Sequence, residues 1–120
     1  MRKQCHNPYM PLWEHVPDGE PHVFGDRLYV FGSHDLENGN EFCEQDYVCW
    51  SAPVTDLSDW RCDGVIYKKE QDPYNQDALP LYAPDVVKGT DGRYYLYYCI
   101  KFQDSINVAV CDTPAGEYRV

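Results

Sequence analysis

The sequence predicts an all-β fold, and three observations lead to that prediction. Short runs of β-branched and aromatic residues alternate with turn residues along nearly the whole chain, and helical periodicity is almost absent. Aromatic residues make up 15% of the 120 residues, and eleven of them are tyrosines, which favour strands. No apolar run approaches the ~20 residues that a transmembrane helix needs.

The alternation predicts seven strands in chain order. They cover residues 20–24, 27–33, 47–51, 60–67, 85–88, 93–100 and 106–112. Turn residues separate these runs, as in Gly25-Asp26 and Asp91-Gly92. Residues 37–46 and 70–81 are interpreted as loop insertions between strands.

Two parts of the chain repeat each other, which indicates repeated structural units. The run of residues 26–31 has the same pattern as residues 92–97, an arginine just after a turn followed by large apolar residues. Residues 48–53 match residues 108–114 in the same way, with prolines at their ends. Four strands per unit at a near-constant offset are typical of the blades of a β-propeller.

The sequence therefore predicts about two blades of a β-propeller, within a domain that covers residues 1–120. The first blade spans about 18–67 and the second about 82–120. A propeller needs at least four blades to close its ring, so we expect the remaining blades to come from further chain or from other chains. A β-sandwich built from two similar sheets is the alternative fold.

Charge and cysteine usage restrict the partners and the location. The formal net charge is -10 and the isoelectric point about 4.6, so phosphate backbones and anionic lipids are repelled, and neither nucleic acid nor a membrane is expected as a partner. A neutral sugar is compatible with this charge. The N-terminus lacks the apolar core of a secretory signal, and the six cysteines form no C-x-x-C pair. We expect reduced thiols and a cytoplasmic protein.

Three motifs together resemble glycoside hydrolase family 43. The first runs from Asn7 to Pro11 and continues from Pro17 to Asp35, and it resembles the opening of that family. The second, Tyr82-Ala83-Pro84-Asp85-Val86, resembles the family's aromatic-Ala-Pro-Asp segment. The third, from Val108 to Gly116, is similar to the strand and Ser/Thr-Pro-x-Gly turn that follow.

The resemblance implies a five-bladed β-propeller that hydrolyses arabinose- and xylose-based glycosides, such as those of arabinan and xylan, with inversion. Inversion needs one carboxylate to activate water on one face of the sugar and one carboxylic acid to protonate the leaving oxygen on the other. The family adds a third carboxylate that orients the acid and raises its pKa by like-charge repulsion. No cofactor is expected, since carboxyl groups suffice for this reaction.

The resemblance places two of these carboxylates on the chain. Glu20 stands at the position of the base, where the family usually has an aspartate, and Asp18 is the weaker alternative for this role. Asp85 matches the aspartate that orients and tunes the acid. The acid itself has no counterpart here, so the sequence predicts that it lies on a later blade.

Four further residues are candidates for contact with a carbohydrate substrate: His22, His34, Asp35 and Tyr82. His22 shares the face of Glu20, because side chains two positions apart on a strand point the same way. Tyr82 stands where the family often has tryptophan, and its ring is placed to stack on a sugar. The alternative function is a non-catalytic module that binds carbohydrate or assembles with other chains.

Overall fold

The computed structural model describes residues 7–120, which form two antiparallel β-sheets. The first sheet has the order β1 (Glu20–Phe24), β2 (Arg27–Gly32), β3 (Tyr47–Pro53) and β4 (Arg61–Tyr67). The second has the order β5 (Leu81–Lys88), β6 (Tyr94–Ile100) and β7 (Ile106–Cys111). A single 3-10 turn, Lys69–Gln71, follows β4 among the described residues. The prediction of an all-β fold is confirmed.

Strands that are neighbours in a sheet follow each other in chain order, and short turns connect β1 to β2 and β5 to β6. Gly25 and Asp26 alone connect β1 to β2, since Phe24 pairs with Arg27. Gly25 has φ 64°, a left-handed conformation that glycine adopts without steric cost. In the second sheet, Gly92 does the same at φ 84° between β5 and β6. Both turns lie where the sequence predicts them.

Strand β5 differs from its prediction because it begins at Leu81 and not at residue 85. Pro84 explains the difference, since proline has no N–H for the sheet and argues against a strand interior. The structure accommodates it with a β-bulge: Tyr82 pairs with Cys99 and Asp85 with Tyr97, so one strand has an extra residue. The other strands match their predicted bounds to within two residues.

The hydrophobic core lies between the two sheets, which pack with β5 against β1 and β2. Alternate side chains of each strand point into it. The contributors from the first sheet are Tyr29, Phe31, Tyr47, Cys49, Ile66 and Tyr67, and those from the second are Leu81, Val86, Tyr94, Leu96, Tyr98, Ile100 and Ala109. Aromatic side chains dominate this core, so most of the tyrosine enrichment of the sequence is explained by packing.

After β7 the chain turns back and runs beside it. The N–H of Val110 donates to the carbonyl of Arg119 at 2.7 Å, and the N–H of Arg119 donates back at 3.0 Å. This antiparallel bridge places Arg119 beside the third strand of the second sheet, where β4 lies in the first sheet. The two sheets thus have the same arrangement of strands, as the internal repeat predicts.

Two further predictions concern the cysteines and the membrane. Cys43, Cys49, Cys62, Cys99 and Cys111 are all free thiols, and Cys43 and Cys49 are buried. Cys5 and the rest of the first six residues lie outside the part of the chain that is described. Within residues 7–120, no helix has the length and apolar character to cross a bilayer.

Candidate active site

The start of β1, the end of β2 and the start of β5 lie together, and we call this region the inner edge. Glu20 pairs with Phe31, which brings the start of β1 beside the end of β2. The N–H of Ala83 in β5 donates to Oγ of Ser33 at 3.0 Å, directly after β2. The hydroxyl of Tyr47 donates to the carbonyl of Tyr82 at 2.8 Å. The first strands of the two sheets, β1 and β5, are therefore adjacent at the inner edge.

Asp85 and His22 meet across the gap between the sheets. Nε2 of His22 lies 2.5 Å from Oδ1 of Asp85, although 63 residues separate them in the chain. The same oxygen accepts the backbone N–H of Val86 at 2.8 Å, which fixes the carboxylate on its strand. The side chains are 34% exposed for His22 and 53% exposed for Asp85. The pair is held in place and is still open to a ligand.

The bulge in β5 sets the direction of the Asp85 side chain. A bulge inserts one residue and changes the face on which the following side chains lie. Ala83, inside this bulge, has φ 43°, a left-handed conformation that costs a non-glycine residue roughly 1–2 kcal/mol. Ser33, which is fully buried, holds the Ala83 N–H. Local strain next to a candidate catalytic carboxylate is typical of functional sites.

Glu20 and Asp18 are the two candidates for the base. Glu20 is exposed at the start of β1, on the face of His22 by strand alternation. Asp18 has φ 55° in the segment that leads into β1. The inner edge thus has a left-handed residue two positions before each predicted catalytic residue, Asp18 before Glu20 and Ala83 before Asp85.

Cys43 lies between several of the predicted site residues. Burial raises the pKa of its thiol, and the charges of Asp35 and Asp18 raise it further, against an opposing hydrogen bond to Ser33. The pKa of the Tyr82 phenol is raised by burial and then by the charge of Cys43. The charges of Asp18 and Asp35 therefore both act on this thiol, which is neutral at pH 7.

His34 and Asp35 are partly engaged by the protein itself. Nε2 of His34 contacts Oε1 of Glu14 at 2.6 Å, and the His34 side chain is 19% exposed. Oδ1 of Asp35 accepts the backbone N–H of Cys43 at 2.7 Å. Both residues therefore stabilise the loop after β2 in addition to any contact with substrate.

Glu14 is a residue that the sequence reasoning missed. Its side chain is only 4% exposed, and its carboxylate accepts hydrogen bonds from His34, from the indole of Trp50 at 2.8 Å and from the backbone of His15 at 3.0 Å. Glu14 stands in an irregular segment without a motif, and its partners are 20 and 36 residues away. In the sequence, Trp13-Glu14-His15 stands out only by its unusual residue types. No spacing relates these residues to β2 or β3.

This arrangement contains the kinds of groups that acid–base catalysis on a sugar requires. Acidic groups from two sheets lie at one edge, and an imidazole and a tyrosine side chain lie beside them. Such groups can activate water and orient an acid, while the ring and the imidazole can contact hydroxyls. Within residues 7–120, no three His, Cys, Asp or Glu side chains are grouped in a way that could hold a metal ion.

Curated proteins with similar sequences are glycosidases. The chain is 62% identical over 120 residues to a protein of Thermoclostridium stercorarium named xylosidase/arabinosidase. It is 32% identical over 120 residues to a xylosidase/arabinosidase of Bacteroides ovatus. The matches cover 99% and 92% of this chain but only 25% and 36% of those proteins. The chain therefore spans about a quarter to a third of the length of these relatives.

Solved structures and a family model agree with these relatives. CoXyl43, a β-xylosidase/α-arabinofuranosidase from a compost microbial metagenome in complex with xylotriose, superposes with a TM-score of 0.75 at 27% identity, over 98% of this chain and 37% of that one. An enzyme of Xanthomonas citri in complex with xylose superposes with a TM-score of 0.71 at 28% identity, over 92% and 33%. The family model described as glycosyl hydrolases family 43 matches residues 15–120.

Proposed function

We propose that this chain, which belongs to glycosyl hydrolase family 43, is part of an inverting glycosidase that cleaves arabinosyl or xylosyl linkages. One observation carries the proposal: carboxylates from the first strands of two neighbouring sheets lie at one edge, where His22 holds Asp85 with half of its side chain exposed. The names of the relatives, xylosidase/arabinosidase, support the choice of sugars.

In the proposed reaction, the base at the start of β1 removes a proton from water while the oxygen of that water attacks the anomeric carbon. The bond from that carbon to the leaving oxygen breaks, and a carboxylic acid protonates the leaving oxygen. Asp85 faces this acid, orients it and keeps it protonated through like-charge repulsion. The reaction requires only carboxyl groups and water.

The acid and the rest of the ring come from further blades in this proposal. Val87, Tyr97, Ile106 and Val108 lie on the side of the second sheet that faces away from the first, and they are 48%, 43%, 71% and 39% exposed. A face of this kind is stabilised when another sheet covers it. A third blade on this face would lie beside β5, the strand that carries Asp85.

Tyr82, His22, His34 and Asp35 are proposed to contact the sugar. The Tyr82 side chain is half-buried at the inner edge, which leaves one side of its ring for stacking on a pyranose or furanose. The polar groups of the other three residues fit the hydroxyls of a neutral sugar, and the negative charge of the chain does not oppose such a substrate.

The test uses the complete gene product and two chromogenic substrates, para-nitrophenyl β-D-xylopyranoside and para-nitrophenyl α-L-arabinofuranoside. The proposal expects release of para-nitrophenol from at least one of them, measured by absorbance. Sugar binding by calorimetry without any release would overturn the proposal and would favour a binding module.

A pair of variants identifies the base. Glu20→Gln and Asp18→Asn each remove one candidate, and the variant with the larger loss of kcat identifies the residue that activates water. Glu117→Gln is the matched control, because Glu117 is an exposed glutamate whose only close ion pair in the described part of the chain is to Arg119. Two unchanged rates would remove both residues from the mechanism.

A further inference from the structure

The segment of residues 13–19 lies on the side of the first sheet that faces away from the second sheet. Trp13 contacts Trp50, with ring centroids 6.0 Å apart, and Trp50 points away from the core because it follows the buried Cys49 on β3. This segment leads directly to Glu20, at the start of β1. Its position therefore decides where both candidates for the base stand.

The segment 13–19 packs so closely against the sheet that two positions have room only for glycine. A Cβ atom placed on Gly32 would lie 2.0 Å from Cγ1 of Val16, and one on Gly19 would lie 2.8 Å from Cγ1 of Val30. Neither glycine has a left-handed φ, so the space alone requires them. Val16 fills the position above Gly32 that a side chain on β2 would otherwise occupy.

Glu14 is the polar anchor of the same segment. Its buried carboxylate accepts from His34 after β2 and from Trp50 in β3, so one side chain contacts two neighbouring strands of the sheet. The carbonyl of His15 accepts the N–H of Asp35 at 3.0 Å and adds a backbone contact at the same point. Charge-assisted bonds of this kind are stronger and more directional than neutral ones.

We infer that Glu14 is a positioning residue, which fixes the segment 13–19 on the sheet and thereby sets the distance between the base at the start of β1 and its water. It acts through the backbone that connects it to the base: five residues, 15–19, separate it from Glu20, and three, 15–17, separate it from Asp18. This inference rests on the proposed glycosidase function. The hydrogen-bond partners of the Glu14 carboxylate are His15, His34 and Trp50, which all belong to this chain.

The test compares Glu14→Ala and Glu14→Gln in the complete gene product, with Asp72→Asn as the matched control. Removal of the anchor is expected to lower kcat about 100-fold, the effect of a misplacement of about 1 Å, with KM changed less than about threefold. Glu14→Gln keeps the shape and an acceptor for Trp50, so it is expected to retain kcat to within about threefold. Asp72 is buried to the same degree but binds elsewhere, so Asp72→Asn is expected to lower stability and leave kcat unchanged.

A kcat for Glu14→Ala equal to that of the wild type, measured on folded protein, would overturn the inference. If Glu14→Ala does not fold, Trp50→Phe and Gly32→Ala replace it. The first removes the indole N–H together with part of the ring, and the second pushes Val16 away. Both are expected to lower kcat, and unchanged rates in both would equally overturn the inference.

Amide hydrogen exchange separates a failure of this inference from a failure of the proposed function. Trp50→Phe is expected to accelerate exchange at residues 15–20 relative to the wild type, while Asp72→Asn leaves these residues unchanged. A wild type that hydrolyses neither chromogenic pentoside would refute the proposed function, and the exchange result alone would then decide whether Glu14 holds the segment. Equal exchange in Trp50→Phe and wild type would contradict the anchor.

Discussion

Asp72 contacts tyrosine side chains of both sheets, whereas Asp85, in the second sheet, contacts one side chain of the first, and their surroundings differ. Asp72 is 4% exposed, and its Oδ2 accepts the hydroxyls of Tyr67 in β4, at 2.9 Å, and of Tyr98 in β6, while Oδ1 accepts the N–H of Tyr74 at 2.7 Å. Asp85 is 53% exposed and has His22 and its own strand as partners. Donors surround the Asp72 carboxylate. The Asp85 carboxylate lies at an open edge and can accept further hydrogen bonds.

This difference indicates two separate roles. A buried carboxylate is stabilising only when donors surround it, since an unsatisfied one is costly. The buried hydroxyls of Tyr67 and Tyr98 also stay protonated at every physiological pH, because burial raises the pKa of both phenols. This buried cluster can hold the two sheets together. Asp85 contributes less to stability and is available for chemistry.

The largest effect is expected for Asp85→Asn in the complete gene product. Loss of the carboxylate removes the group that orients and tunes the acid, and kcat should fall about 1000-fold, within the range of acid–base contributions. The free energy of unfolding should change by less than about 1 kcal/mol, because the side chains of the His22–Asp85 contact are 34% and 53% exposed. The control is Asp91→Asn, in the turn of the same hairpin. An unchanged kcat would remove Asp85 from the mechanism.

The opposite result is expected for Asp72→Asn. The amide has one acceptor oxygen, so it cannot accept both from the tyrosine hydroxyls and from the N–H of Tyr74. The free energy of unfolding should therefore fall by about 2 kcal/mol. Urea unfolding measures this loss, and kcat of the folded protein should remain that of the wild type. Tyr67→Phe should cause a smaller loss, since Tyr98 still donates to Asp72. A variant with normal stability and reduced kcat would contradict the division of roles.

A smaller effect is expected for His22→Phe, which tests whether Asp85 needs its partner. Phenylalanine preserves the ring contacts of His22 with Phe24 and Phe31, with centroids 5.8 Å and 6.5 Å away, but removes the donor to Asp85. A less restrained carboxylate should lower kcat about tenfold, which corresponds to about 1.4 kcal/mol. Steady-state kinetics on a chromogenic pentoside gives the measurement. A kcat equal to the wild type would show that the pair does not position Asp85.

Asp91 sharpens the comparison as a third carboxylate, with a side chain that is 42% exposed. Hydrogen bonds from Tyr95 and then Arg93 lower its pKa to about 2. Since the folded pKa lies below the unfolded value of about 3.9, the contribution of Asp91 to stability is present above pH 4 and is lost as the pH falls through 2. A carboxyl NMR titration of this residue should show a midpoint near pH 2. A midpoint near 3.9 would show that these hydrogen bonds do not persist in solution.

The strands could be predicted because their signals are local. Alternation of apolar residues and glycine-containing turns such as Gly25-Asp26 and Asp91-Gly92 specify where each strand begins and ends. Strand β5 shows the limit of this reasoning, since Pro84 normally marks a strand end. Its bulge depends on the contact of Ala83 with Ser33, 50 residues away in the chain, which no local pattern encodes.

The candidate site divides in the same way. Asp85 and Glu20 could be proposed from short motifs, and the structure brings their strands together. The His22–Asp85 pair, the Glu14 anchor and the Tyr67–Asp72–Tyr98 cluster join residues that are distant in sequence. The His22–Asp85 pair and the tyrosine cluster depend on how the two sheets pack, and the Glu14 anchor depends on how the segment 13–19 packs on the first sheet. The sequence carries no spacing rule for either. Site roles for single residues stay predictions until variants are measured.

The stereochemistry of hydrolysis tests the central claim most directly. Proton NMR of the reaction of the complete gene product with para-nitrophenyl β-D-xylopyranoside shows which anomer of xylose forms first, before mutarotation. The proposed arrangement, in which a base activates water on the face opposite the leaving group, predicts that α-xylose appears first. Initial formation of β-xylose would mean a covalent intermediate and net retention, and would contradict the assignment of a water-activating base at the start of β1.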